Sequence, residues 1–255
     1  MRKPVLYILL FLSLCGNILL LFVADKGLFY RQQLNTVLNA PQLRYMPTHH
    51  QPLPQQTVLF IGDSIAYAYP LPALLPQHHI FINKGIRGER SAQIAERYAS
   101  YVTDVPHDVV LVEGGINDIL SCVRNDTDCA ETLQKISESA ERIFKYARMH
   151  DKQPFYVSIL PVTHKFLFPY AKLFSLPTGF DVEQVNTLVR EANRRVQDLC
   201  KDYGVSYIDV FAAMLKGNEL SRDYAATDGY HINVSGYAAI SDVLQSSLFT
   251  KINRP

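Results

Sequence analysis

Along this chain, short apolar runs alternate with longer stretches whose apolar residues recur at helical spacing. Thr57–Ile61 is an apolar run that stops at Gly62, which predicts a buried strand. Ile80–Ile82 reads likewise and stops at Asn83–Gly85; the β-branched Val109–Val112 ends at Gly114–Gly115. Phe155–Leu160, which stops at Pro161, and Val205–Val210 complete the strand-like runs. Between them, Ser91–Tyr101 and Glu131–Met149 have helical periodicity, the latter with Leu133, Ile136, Ile143 and Phe144 on one side. Val182–Cys200 sets Val185, Leu188, Val189, Ala192 and Val196 at helical spacing, and Ser235 is placed to cap a last helix through Leu248. Strand and helix alternating in this way predict an α/β fold, with a parallel sheet covered on both faces.

The N-terminus follows a different pattern. Val5–Ala24 is uncharged and follows Arg2 and Lys3; Ser13, Gly16 and Asn17 weaken the run without breaking it. A helix of about 20 residues rises about 30 Å, the thickness of a bilayer core. A buried core helix would normally show a polar face, and this run shows none. Leu14 before Cys15 disfavours a lipoprotein, and Phe22 disfavours cleavage after Ala24. An uncleaved anchor over residues 1–25 is therefore expected, with Arg2 and Lys3 holding the short end in the cytoplasm and the rest outside it. Residues 26–56, interrupted by Pro41, Pro47, Pro52 and Pro54, read as an extended stalk, and residues 57–255 as the folded domain.

Composition narrows the function. A formal net charge of +1 gives no basic footprint for nucleic acid. The four cysteines, Cys15, Cys122, Cys129 and Cys200, form no C-x-x-C pair, which removes zinc-ribbon and thioredoxin-like readings. Cys122 and Cys129 flank a polar stretch in a domain expected outside the cytoplasm, so a disulfide between them is expected.

In a parallel α/β sheet, ligands bind outside the carboxyl ends of the strands. There this chain carries Gly62-Asp63-Ser64, Asn83-Lys84-Gly85-Ile86-Arg87-Gly88 and Gly114-Gly115-Ile116-Asn117-Asp118; ahead of the last helix comes Asp228-Gly229-Tyr230-His231-Ile232-Asn233. A serine needs a base, a histidine needs a partner to fix its tautomer, and a tetrahedral oxyanion needs fixed donors. Taken singly, each piece has a bland reading: Ser64 as a helix cap, Gly88 as a turn, Asn117 as an Asx-turn residue, His231 as a packed side chain, Asp228 as the start of a turn. The order and spacing of all four blocks favour acyl transfer.

Together the blocks resemble the four signature blocks of the SGNH (GDSL-like) hydrolases, over Val58 to about Gly236. The resemblance implies a flavodoxin-like three-layer α/β/α sandwich with a five-stranded parallel sheet. It implies Ser64 as nucleophile, His231 as base with Asp228 behind it, and an oxyanion hole from the Ser64 and Gly88 N–H groups and the Asn117 amide. It calls for no metal and no organic cofactor. Two departures are visible: Ile65 stands where the family usually has leucine, and Tyr230 where a smaller aliphatic residue is common. Asp63 and Asp118 are expected to hold loops, and the aromatic segment Val162–Phe180 to be either a lid over the site or an ordinary insertion. The expected function is a serine esterase acting on O-acyl groups, acetyl foremost, of envelope glycans or related substrates. A lysophospholipase or thioesterase acting on lipid acyl chains, and a non-catalytic envelope binding module, are the alternatives.

Overall fold

The computed structural model describes residues 56–70, 79–125, 127–166, 175–176 and 179–252, together with residues 7, 11–18, 20, 21, 23, 24 and 27. In chain order the folded part runs β1 Thr57–Gly62, α1 Ser64–Tyr67, β2 Ile80–Gly85, α2 Ser91–Asp104, β3 Val109–Val112, α3 Ile116–Asn125, α4 Cys129–Met149 and β4 Gln153–Val157. It continues through β5 Lys165–Phe166, β6 Ser175–Leu176, α5 Val182–Asp202, β7 Ser206–Ile208, α6 Phe211–Met214, β8 Leu215–Lys216, β9 Glu219–Leu220 and α7 Val234–Ile252. Five parallel strands form the main sheet in the order β2-β1-β3-β4-β7; β5–β6 and β8–β9 are small antiparallel pairs. This is the expected α/β fold with its five-stranded parallel sheet.

Period-two alternation places the two cores. Leu59, Ile61, Val110 and Val112 pack with Ile94 and Tyr98 of α2, Ile136 and Phe144 of α4, and Val189 and Val196 of α5. Val58, Phe60, Val109 and Leu111 face the other way, onto Ile65 of α1, Met214 of α6 and Tyr237, Ile240 and Leu244 of α7. Both faces are buried, so the central strands read as continuous apolar runs. The chain leaves β1 for β2 on one side and returns to β3 on the other, so strand order reverses between β1 and β3. Val58 pairs with Val109 and Ile61 with Val112, which brings the two strand ends level and opens a crevice there.

Several expectations need correction. β2 is not buried; it is the edge strand and its residues are exposed or half-buried. β4 stops at Val157, short of the expected Leu160. Beyond it, the backbone of Ile159 and Val162 bonds instead to the side-chain amides of Asn193 and Asn186 on α5, at 2.8–2.9 Å. β7 is trimmed at both ends to Ser206–Ile208, and the Val210 N–H bonds to Ser158 Oγ. The last helix starts at Val234, because Asn233, not Ser235, accepts the Gly236 N–H through its side chain at 3.1 Å.

The expected spanning helix is not found among the described residues, where no helix is long and apolar enough to cross a membrane. Residues 7, 11–18, 20, 21, 23, 24 and 27 are helical, and Phe11, Leu12, Leu14 and Ile18 among them are exposed. The rest of the expected anchor lies outside the described residues, as does the expected stalk apart from Gly27 and Gln56.

Candidate active site

Ser64 is the first residue of α1, directly after β1. Asp63 caps that turn, its Oδ1 accepting the Ile65 N–H at 2.9 Å. The Asp228–His231 turn arrives from the other end of the chain. Asp228 Oδ1 accepts the Tyr230 and His231 N–H groups at 3.2 and 3.0 Å, and its Oδ2 lies 2.6 Å from His231 Nδ1. His231 Nε2 lies 2.8 Å from Ser64 Oγ. The turn needs Gly229: its φ is +85°, and a Cβ there would sit 2.2 Å from the Thr163 carbonyl oxygen. Burial pushes the Asp228 carboxyl up, but the bond and charge of His231 and the two backbone N–H groups outweigh it and hold the group below its ordinary range. Asp228 is thus an ionised acceptor that fixes the imidazole with Nε2 toward the serine.

Asn117 lies in the first turn of α3, half-buried. Its Nδ2 donates to the Glu89 carbonyl at 3.0 Å and to Asp63 Oδ2 at 3.3 Å, which joins the β1 and β3 ends of the crevice. The loop carrying Glu89 is clamped from α2, where Arg97 pairs with the Glu89 carboxylate and donates to the Lys84 carbonyl at 2.6 Å. Asp118, buried, accepts the Ser91 N–H at 2.9 Å and its hydroxyl at 3.1 Å, which ties α3 to the start of α2. Gly88 lies on the same loop, exposed, at φ +76°. Asn83, near the end of β2, donates to the Ala66 carbonyl at 2.8 Å and so binds this strand end to the Ser64 turn. Asp63 and Asp118 make the loop contacts expected of them.

Glu113, the residue following β3, was not singled out from sequence, and nothing in its apolar surroundings marks it there. It is 2% exposed, and both carboxyl oxygens are buried without a well-formed hydrogen bond, with the Asp63 and Ala66 backbone N–H groups turned toward them. It faces Asp63, which is fully buried. Gly62 makes the space: a Cβ there would lie 2.5 Å from the Glu113 carbonyl oxygen and 3.0 Å from Oε2. Burial raises the Asp63 carboxyl to about 6 against the pull of the Ile65 N–H, and burial together with the facing Asp63 charge pushes Glu113 well above the carboxylate range.

On the outer side of His231, the Tyr230 ring lies 4.4 Å from the imidazole, centroid to centroid, and Phe180 meets Tyr230 edge-on at 6.4 Å. The Arg124 guanidinium lies over both rings, 5.4 Å from Phe180 and 6.0 Å from Tyr230. Arg124 belongs to the loop closed by the Cys122–Cys129 disulfide, which is formed as expected. Residues 167–174 and 177–178 of the expected lid segment lie outside the described residues.

The GDSL-like lipase/acylhydrolase family model matches residues 60–239. No curated protein matches the chain significantly. Among solved structures, the chain is similar to a Streptococcus pneumoniae protein provisionally described as a platelet activating factor (24% identity, TM-score 0.58, covering 92% of this chain and 99% of that one). It is similar to a GDSL-like lipase from Bacteroides thetaiotaomicron (20%, TM-score 0.57, 80% and 91%) and to an acetylxylan esterase from Geobacillus stearothermophilus (17%, TM-score 0.59, 78% and 96%). At these identities the structures establish a shared fold, while the family match spans all four sequence blocks. The chain belongs to the GDSL-like lipase/acylhydrolase family and is a serine hydrolase.

Proposed function

We propose that the protein removes O-acyl groups, acetyl foremost, from envelope glycans or related esters through an acyl-serine intermediate. The observation that carries this reading is the unbroken chain from Ser64 Oγ through His231 to Asp228, at 2.8 and 2.6 Å. Ser64 Oγ attacks the ester carbonyl as His231 Nε2 takes its proton, and Asp228 stabilises the imidazolium. The oxyanion is received by the Ser64 and Gly88 N–H groups and the Asn117 amide; of the two bonds that amide makes, the longer one, to Asp63, is the one given up. His231 then protonates the leaving alcohol, and water releases the acyl group by the same steps in reverse.

Two features favour a glycan ester. Tyr230, flanked by Phe180 and Arg124, supplies a flat aromatic wall with a cation beside the catalytic histidine, which suits a sugar ring. The similarity to an acetylxylan esterase points the same way. Rates on p-nitrophenyl acetate, p-nitrophenyl octanoate and an acetylated oligosaccharide test this: the proposal expects acetyl esters to be preferred, and a preference for octanoyl esters would redirect it to lipid acyl chains.

We also place the catalytic domain outside the cytoplasm on a membrane tether. The support is the uncharged run Val5–Ala24 behind Arg2 and Lys3, the exposure of its described apolar side chains, and a disulfide that suits an oxidising compartment. Full-length protein should fractionate with membranes; recovery in the soluble fraction would reject the tether.

A further inference from the structure

The triad leaves the two carboxyls under the nucleophile unused. Neither buried oxygen of Glu113 makes a well-formed hydrogen bond, the Asp63 and Ala66 backbone N–H groups being the donors turned toward it, and the side chain it faces, Asp63, is also an acceptor when ionised. Two ionised carboxylates cannot bond to each other, and desolvating both would be costly. A single proton on Glu113 removes the repulsion and satisfies an oxygen of each group. The ionisable groups acting on Asp63 besides Glu113 are His231, Asp118 and Tyr237 of α7, while Tyr156 of β4 and Tyr237 act on Glu113. None of these is a fixed cation that would hold both carboxyls ionised.

Asp63 connects this pair to the chemistry. One of its oxygens orients the Ile65 N–H next to the nucleophile, and the other accepts from the Asn117 amide. We propose that Glu113 is a positioning residue: it holds a proton at neutral pH and donates it to Asp63, which keeps Asp63 placed to align the Ser64 turn and the Asn117 amide. The proton stays within the pair throughout turnover. Its second effect is on strength. A carboxylate that already accepts from Glu113 grips the Asn117 amide less tightly, so the amide is released more readily to the oxyanion. This inference rests on the esterase reading of Ser64 and Asn117.

The test has a spectroscopic arm and a kinetic arm. The infrared difference between wild-type protein and Glu113→Gln at neutral pH should contain a protonated-carboxyl band that the variant lacks; no such band overturns the proposal, whatever the enzyme hydrolyses. On p-nitrophenyl acetate, Glu113→Gln keeps a neutral donor and should retain most of kcat. Glu113→Leu removes the donor and should lower kcat roughly tenfold to a hundredfold at nearly unchanged KM, the loss expected for one charge-assisted hydrogen bond. In a Glu113→Leu background, Asn117→Ala should cost much less than it does alone. Equal loss in the Gln and Leu variants, or full additivity with Asn117→Ala, contradicts the proposal. Should Glu113→Leu fail to fold, the infrared band and the Gln variant still decide it. A wild-type protein inactive on every ester would count against the function proposed above and leave the infrared result to be judged by itself.

Discussion

Two carboxyl groups bracket the Ser64–His231 pair, Asp63 on the turn that carries Ser64 and Asp228 behind the imidazole, and they meet opposite fates. Asp228 is half-buried, and its imidazole partner and two backbone N–H groups hold it ionised. Asp63 is fully buried, has one good N–H bond and a longer one from an amide, and faces another acid. The same residue type is therefore held down in one place and pushed up in the other. Burial raises both; the number and charge of the donors decides which group ends below its ordinary range and which above it. The anion belongs to the mobile proton of catalysis, and the raised pair belongs to the framework.

Breaking the Asp228 side should give the largest effects. Ser64→Ala and His231→Ala should each lower kcat on p-nitrophenyl acetate by roughly 10⁶-fold, and Asp228→Ala by roughly 10⁴-fold, because the aspartate orients and stabilises the imidazole and takes no proton. Circular dichroism should show all three folded. A loss in Asp228→Ala equal to that in His231→Ala would give the aspartate a larger share of the chemistry than this geometry allows. At the junction of the two regions, Asn117→Ala should lower kcat by roughly 10²–10³-fold with little change in KM, the worth of one oxyanion donor. An unchanged kcat would remove Asn117 from the site.

The framework side should show itself in stability. Asp63 titrates near 3.8 in the unfolded chain and at about 6 in the folded protein. Between those values the native state binds more protons than the unfolded one, so this group's contribution falls as pH rises from about 4 to about 6 and remains lost above. Asp63→Asn removes that titration and still offers an oxygen to the Ile65 N–H. Urea melts should therefore show the variant gaining on the wild type as pH rises through this window. A gap that does not change with pH would mean that Asp63 is not raised. The smallest effect is expected at the rim: Cys122→Ser with Cys129→Ser should cost at most about 2–3 kcal/mol, since the closed loop is short. Thermal melts of the oxidised wild type and the double variant measure this.

What could be read from the sequence depended on whether the signal was local. β1, β3, α4 and α5 are apolar runs or stripes in the chain itself, and three of the blocks could be read because each sits at the end of a strand-like run, the fourth because it leads into the last helix. Ser64, Asp228 and His231 converge as expected. Apart from the cap of the last helix, the strand expectations that failed involved partners distant in sequence. β4 ends early because Asn186 and Asn193, far along the chain, take over its backbone bonds. β2 is an edge strand because of sheet order, which its own residues do not encode. α3 was not expected, since its first turn carries Asn117 and Asp118 of the glycine-led third block. Glu113 escaped notice for the same reason: a lone acid after an apolar strand has no meaning until Gly62 and Asp63 are set against it.

The most direct measurement is peptide mapping after treatment with a fluorophosphonate, which captures the serine activated as a nucleophile. The account predicts one adduct, on Ser64, formed rapidly in the wild type and very slowly in His231→Ala. An adduct on any other serine, or labelling of Ser64 at the same rate without His231, would contradict it.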